Sequence, residues 1–93
     1  VVNPTHYAVA LRYESGVTPL PIVVAKGYDF EAMKIREIAE AHRIPIVGNP
    51  PLARSLFKLE LDDAVPEELF EAVAAVLRWV AILKNLGGAA GKV

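Results

Sequence analysis

A short run of β-branched residues and the helical pattern that follows it limit the fold of this chain more than any other feature. Residues 22–25, Ile-Val-Val-Ala, are typical of a strand buried on both faces, and Gly27 is expected to end that strand. Apolar residues then recur at spacings of three and four, which predicts an amphipathic helix over 29–42. A further short strand follows at 45–47. Strand, helix and strand in this order predict a βαβ unit with parallel strands and a right-handed crossover.

The helix of this unit has a recognisable start and a recognisable inner face. Asp29 is a favourable N-cap residue type, and the pattern ends near His42. The predicted core-facing stripe consists of four apolar side chains: Ala32, Ile35, Ile38 and Ala39.

Three further elements are predicted outside the βαβ unit. Alternation of apolar residues over 5–13 predicts a strand. Two prolines at 50–51 suit the first turn of a short helix, whose inward residues are expected to be Leu52, Leu56 and Leu59. The last helix begins near Pro66.

The segment between the last two helices and the end of the chain carry weaker signals. Residues 61–65 read as a turn with at most a minimal edge strand. We predict one domain over 1–86 and a flexible glycine-alanine tail over 87–93.

Composition narrows the class of function. With 93 residues and 54% apolar content, the chain is expected to form one core. Ten basic and eleven acidic residues leave a formal charge of −1, so we expect no nucleic-acid partner. The chain has no cysteine, and its two histidines, His6 and His42, form no ligand cluster, so neither a metal nor a cofactor is expected. The chain starts with Val1 rather than Met, and we interpret it as a fragment.

The tetrapeptide Asn3-Pro4-Thr5-His6 carries the chemistry of this sequence. Proline has no N–H, so the usual attack on an asparagine side chain by the following backbone nitrogen is closed. The reverse attack remains, in which the Asn3 amide nitrogen closes a succinimide on its own carbonyl carbon and expels the Pro4 nitrogen. Such a reaction needs the reacting atoms held about 3–3.5 Å apart. His6 is a candidate proton relay, and Thr5 a candidate hydrogen-bond partner of the turn or the oxyanion.

Asn-Pro is also a common turn dipeptide, so its presence alone decides nothing. The same chain contains Asn49-Pro50, which we interpret as an ordinary cap and turn before a helix. Arg54 is predicted to lie exposed beside a hydrophobic ridge, which makes it a candidate partner contact.

Longer segments resemble one protein family. VVNPTHYAVALRY, PLPIVVAKG, IPIVGNPPLARSLF and VPEELFEAVAAVLRWV resemble, in order and spacing, the cytoplasmic domain of the FlhB/YscU family of type III secretion export proteins. The resemblance implies a compact α/β domain with helices packed on a small mixed four-stranded sheet. It also implies self-cleavage between Asn3 and Pro4, after which the two pieces stay together as strands of one sheet.

The same resemblance implies roles and surroundings. Asn3 would be the nucleophile, Pro4 the leaving side, and Thr5 and His6 the rest of the exposed loop. The domain would follow an upstream membrane domain of the same protein, at the cytoplasmic face of the bacterial inner membrane. It would help switch export from early to late substrates, with other export apparatus proteins, export substrates and a length-control protein as partners.

Two finer expectations accompany these roles. The TPLP and AVLRWV segments favour the injectisome branch over the flagellar branch. Because each molecule would cut itself once, we do not expect an enzyme in the catalytic sense.

Two other hypotheses about the function stay open. The chain could be a non-cleaving docking domain of the same machine, which binds export substrates or chaperones and presents the NPTH loop as an epitope. It could also be an unrelated α/β domain that binds a small ligand or RNA.

Overall fold

The computed structural model describes residues 1–3, 6–14, 16–17 and 20–85. Within these ranges the elements are β1 (Val2–Asn3), β2 (Tyr7–Arg12), β3 (Ile22–Tyr28), α1 (Phe30–Ala41), α2 (Pro50–Phe57), a 3-10 turn (Glu67–Leu69) and α3 (Phe70–Asn85). The predicted tail at 87–93 lies outside the described residues, so the domain boundary at 86 stays a prediction. No helix in the described ranges is long and apolar enough to cross a membrane.

The three strands form one antiparallel sheet in the order β1-β2-β3. Asn3 pairs with Tyr7 across β1 and β2, and Ala8 pairs with Gly27 across β2 and β3. The β2–β3 register shifts between Ala10 and Leu11, where β3 carries an extra residue. Strand β2 is therefore the central strand of the sheet.

Helices cover both faces of this sheet, as the α/β prediction requires. On one face, Val9 and Val23 pack with residues of α2, α3 and the segment between them: Leu52, Leu56, Val65 and Val73. On the other face, Ala8 and Val2 pack with Ala32 of α1 and with Ile46. Because side chains alternate along a strand, the neighbouring residues Ala8 and Val9 point to opposite faces of the sheet and belong to different core clusters.

The two extended segments of the predicted βαβ unit are not neighbours in the sheet. The segment after α1 joins the other edge of the sheet, where Gly48 bridges Val2 in parallel. Strand β1 is the reason, because it occupies the position between this segment and β2. Both β3 and the 46–48 segment run parallel to β1, so their predicted common direction is confirmed although they are not neighbours.

A fourth strand is not shown within the described residues. The 46–48 segment contributes one isolated bridge, and the turn at 61–65 contributes another, between Ala64 and Ile22. The second bridge matches the predicted minimal edge strand.

The prediction that Gly27 ends the strand that begins at Ile22 is wrong. Strand β3 continues through Gly27 to Tyr28, and Gly27 is buried. A β-carbon on Gly27 would lie 2.7 Å from the Glu31 β-carbon and 3.2 Å from Ile35 Cδ1. Helix α1 crosses β3 at this point, so the glycine marks a close helix–strand contact rather than a strand end.

Most helix predictions agree with the structure, with two exceptions. Ala32 is buried, and Ile35 and Ala39 pack against it, but Ile38 is 59% exposed. Ile38 lines a groove beside β3 with Val24 and Leu61, where no further strand of the described chain covers it.

The second exception lies at the end of α2. Leu52 and Leu56 are buried as predicted, while the helix ends at Phe57, before Leu59. Leu59 nevertheless packs against the core from the following turn.

Candidate functional site

The predicted cleavage motif lies in the connection between β1 and β2. Asn3 is the last residue of β1, and its main chain pairs with Tyr7, the first residue of β2. Residues 4–6 therefore make the whole connection. Pro4, Thr5 and the side chain of Asn3 lie outside the described structure, so their predicted roles stay predictions.

The residues before the predicted cut are held from both sides. Val1 and Val9 exchange two main-chain hydrogen bonds of 2.8 Å, the first donated by the Val1 amino group. On the opposite side, the Val2 N–H donates to the Val47 carbonyl and the Asn49 N–H donates to the Val2 carbonyl, each at 2.9 Å. The strand that precedes the motif thus lies between two neighbouring segments rather than at a free edge.

His6, the last residue of the connection, is anchored by Asp29, which joins β3 to α1. The Asp29 N–H donates to the His6 carbonyl at 2.8 Å, and Asp29 Oδ1 lies 3.4 Å from His6 Nδ1. Both side chains are exposed, so this pair contributes little to stability. The two residues are 23 positions apart, so no local spacing rule predicts the contact.

Asp29 occupies its predicted place as the residue before α1, but its side chain does not cap the helix. Its φ of 49° and ψ of −114° lie in a region that favours glycine, and its carboxylate accepts no capping hydrogen bond. Its carbonyl accepts the first helical bond, from the Met33 N–H at 3.1 Å.

An aromatic cluster that was not predicted from the sequence joins the motif's strand to α2. The Phe57 ring lies 4.8 Å from the Tyr7 ring and 6.0 Å from the Tyr28 ring, the latter edge-on. Lys26 Nζ lies 5.0 Å from the Phe57 ring centroid and donates to the carbonyls of Phe57 at 3.0 Å and Leu59 at 2.7 Å. Side chains alternate between the two faces of β3, which indicates that some of them share one face. No sequence signal predicts that Phe57 packs on that face.

The second Asn-Pro dipeptide behaves differently, as the sequence predicts. The Asn49 side chain accepts a hydrogen bond from the Leu52 N–H at 3.2 Å, and Pro50 and Pro51 occupy the first turn of α2. The interpretation of this dipeptide as a cap and turn is confirmed.

Arg54 lies on the same helix and is exposed. Its side chain makes no hydrogen bond or ion pair within the part of the chain that the structure describes. Its predicted role as a partner contact stays a prediction.

Known proteins have similar sequences and a similar fold. A model of the FlhB, HrpN, YscU and SpaS family matches residues 1–80. The hypersensitivity response secretion protein HrcU of Ralstonia nicotianae is 62% identical over 80 residues, which cover 86% of this chain and 22% of HrcU. The chain therefore spans about a fifth of the length of that relative.

Two solved structures extend the similarity to the fold. The crystal structure of the PscU C-terminal domain has a TM-score of 0.77 and 45% identity, and the match covers 82% of this chain and 98% of that one. The cytoplasmic domain of FlhB from Shewanella putrefaciens has a TM-score of 0.76 and 50% identity, with 81% of this chain and 63% of that one covered.

Proposed function

Because the chain belongs to the FlhB, HrpN, YscU and SpaS family, we propose that it is the self-cleaving switch domain of a type III secretion export apparatus. In this proposal the chain cuts itself once between Asn3 and Pro4, and the cut controls the change from early to late export substrates. The family and its place in type III secretion are the premise, and the cleavage is the step we add for this chain.

The proposed reaction is asparagine cyclisation. The Asn3 side-chain nitrogen attacks the Asn3 carbonyl carbon, a new C–N bond closes the succinimide, and the peptide bond to Pro4 breaks. The attacking nitrogen loses a proton and the departing Pro4 nitrogen gains one. Water then opens the succinimide at the end of the short piece. His6 is the candidate carrier of the proton, since one imidazole nitrogen can accept a proton while the other donates one.

One observation carries this proposal: the motif spans a three-residue connection whose preceding strand is hydrogen-bonded on both sides. The Asn3–Tyr7 pair fixes the entry to the connection. The bonds of Val1 and Val2 to β2 and to the 47–49 segment do not depend on the Asn3–Pro4 bond. They would keep the short piece in the sheet after a cut.

We also propose a setting for the domain, by analogy with its relatives. For the branch we propose the injectisome, on the TPLP and AVLRWV segments and the 62% identity to HrcU; FlhB proteins at 45–53% identity overlap with SsaU at 53% and the Yop translocation protein U at 46%. We place the domain at the cytoplasmic face of the inner membrane, behind a membrane domain of the same protein. Other export apparatus proteins, export substrates and a length-control protein are its proposed partners.

A time course of intact mass tests the cleavage. The chain is prepared with an N-terminal tag, unfolded, refolded, and sampled for loss of the tagged piece that ends at Asn3. We expect the parent to split after Asn3 and the Asn3→Ala variant to stay whole, because alanine has no amide nucleophile. An intact parent would reject the cleavage, and so would an Asn3→Ala variant that splits at the parent's rate.

The second Asn-Pro dipeptide supplies the matched control. Asn49→Ala removes a helix cap, which costs about 1 kcal/mol of stability, but leaves the proposed nucleophile in place. We expect this variant to split after Asn3 like the parent and never after residue 49.

A docking function without cleavage is the second candidate, and one surface favours it. An apolar cavity of about 210 Å³ opens between the end of β2, the chain at 20–21 and α3. Its lining includes the half-exposed side chains of Tyr13, Leu20 and Phe70. An intact parent that still binds export substrates or chaperones would support this function instead.

A further inference from the structure

We propose that Asp29 is a positioning residue for the self-cleavage, because it holds His6 by both its main chain and its side chain. This inference rests on the proposed function and adds to it a residue outside the NPTH motif. Asp29 acts through His6 and does not itself touch the bond between Asn3 and Pro4.

The contacts of His6 give the first part of the case. Its carbonyl accepts the Asp29 N–H at 2.8 Å, which is an ordinary main-chain hydrogen bond length. Its ring nitrogen Nδ1 lies 3.4 Å from Asp29 Oδ1, a longer contact that orients an otherwise exposed ring. The connection between β1 and β2 is thus anchored on one side of the proposed cut by the Asn3–Tyr7 pair and on the other by Asp29.

The backbone of Asp29 gives the second part. A φ of 49° with a ψ of −114° is strained for any residue with a β-carbon, and glycine is the residue that suits it. Strained residues persist where the surroundings over-determine them, and they concentrate at functional sites. An aspartate at this position therefore calls for a use of its side chain.

The usual use of an aspartate before a helix is absent here. The carboxylate makes no capping hydrogen bond to α1, although the residue stands at the N-cap. The one polar contact that the described structure gives the carboxylate is His6 Nδ1. The side chain thus serves the connection and not the helix.

The position of Asp29 also ties the connection to a rigid element. The Asp29 carbonyl accepts the first bond of α1, from the Met33 N–H, while its N–H holds His6. A reaction that needs atoms in near-attack geometry loses rate steeply when a supporting group moves. Anchoring His6 to the start of a helix restricts such movement.

Substitutions of Asp29 separate positioning from folding. Asp29→Gly relieves the backbone strain and keeps the N–H that holds His6, but removes the carboxylate. We expect its urea midpoint to be no lower than the parent's and its first-order cleavage rate to be lower by about tenfold or more. Asp29→Asn keeps the same backbone strain as the parent and retains an oxygen acceptor for His6, so we expect its rate to lie within about threefold of the parent's.

Glu31→Gln is the matched control, because it removes a carboxylate from the first turn of α1 that makes no contact with His6. We expect parental cleavage from this variant. Cleavage rates are read from intact mass in the tagged chain, beside the urea midpoint of each variant.

The outcomes separate this inference from the proposed function. If the parent splits, Asn3→Ala does not, and Asp29→Gly splits at the parent's rate, the positioning role is wrong and the cleavage stands. Slow cleavage of Asp29→Gly together with a lowered urea midpoint would assign Asp29 a folding role and also overturn the inference. A parent that never splits rejects both.

Discussion

Gly27 and Asp29 are two residues apart, and their surroundings constrain them in opposite ways. At Gly27 the approach of α1 leaves no room for even a β-carbon. At Asp29 the backbone favours glycine, yet a carboxylate is present and faces His6. The junction between β3 and α1 therefore combines close packing with a strained turn, and the strained residue is the one that contacts the cleavage motif.

Gly27→Ala tests the packing half of this junction. The new β-carbon would lie 2.7 Å from the Glu31 β-carbon and 3.1 Å from the Glu31 backbone carbonyl carbon, so helix or strand must shift. We expect the free energy of unfolding to fall by about 1–3 kcal/mol in urea denaturation, the usual range for overpacking.

Gly16→Ala provides the comparison for that substitution. Its φ is +81°, but a β-carbon there meets nothing within 4 Å, so only the backbone preference is lost. We expect a loss of about 1 kcal/mol. A Gly27→Ala variant as stable as the parent would show that α1 does not pack on β3 as closely as described.

At the scale of elements, Lys26 joins β3 to the end of α2. Its ammonium group donates to the carbonyl of Phe57, the last residue of α2, and to that of Leu59 just beyond, and it lies over the Phe57 ring. Charged donors near a helix C-terminus stabilise it, and partial burial strengthens hydrogen bonds of this type.

Lys26→Met keeps the length of the side chain and removes its charge and donors. We expect a loss of about 1–3 kcal/mol of unfolding free energy by urea denaturation, since the two carbonyls lose a charged partner. Lys58→Met is the matched control because Lys58 is exposed next to the same helix end, and we expect a change within about 0.5 kcal/mol. Equal effects of the two substitutions would contradict the role of Lys26.

Sequence patterns predict these elements better than they predict their neighbours. The helical stripe locates α1 and the buried Ala32, but the exposure of Ile38 depends on how far the sheet extends beneath it. The run at 45–47 identifies an extended segment, while the insertion of β1 decides which edge it joins. Local periodicity contains no information on either, because both are set by residues distant in sequence.

The candidate site shows the same division. The NPTH motif and the helix cap at Asn49 can both be recognised from short residue patterns. The contacts of His6 with Asp29 and of Phe57 with Lys26 arise only when β2, β3 and α2 meet. A single sequence does not reveal a positive φ at a non-glycine residue. The sequence therefore predicts an ordinary helix cap at Asp29.

At the scale of the whole molecule, the 93-residue chain prepared by itself carries a free amino group on Val1, and this group links stability to pH. Burial beside β2 lowers the pKa of this amino group from 8.0 to about 6, despite its hydrogen bond to the Val9 carbonyl. Above about pH 8 the amine is neutral in both the folded and the unfolded chain. Below about pH 6 it is charged in both, and the folded chain then carries a buried cation.

We therefore expect the free energy of unfolding of the 93-residue chain to fall by about 2–3 kcal/mol as the pH drops from 8 to 6. Urea denaturation across this pH window measures the change. Acetylation of Val1 removes the titrating group and leaves both histidines in place, so the acetylated chain should lose that part of the slope. Identical slopes for the two chains would contradict the burial of the amine.

The place of β1 between β2 and the 46–48 segment has a mechanical consequence for the proposed cut. While the Asn3–Pro4 bond is intact, a pull on Val1 passes along covalent bonds into β2. Once that bond is broken, the same load falls on the hydrogen bonds of β1 to its two neighbours, which are sheared together along the strand. The cut thereby replaces a permanent link with a tether that tension can release, and the lifetime of that tether shortens as the load grows.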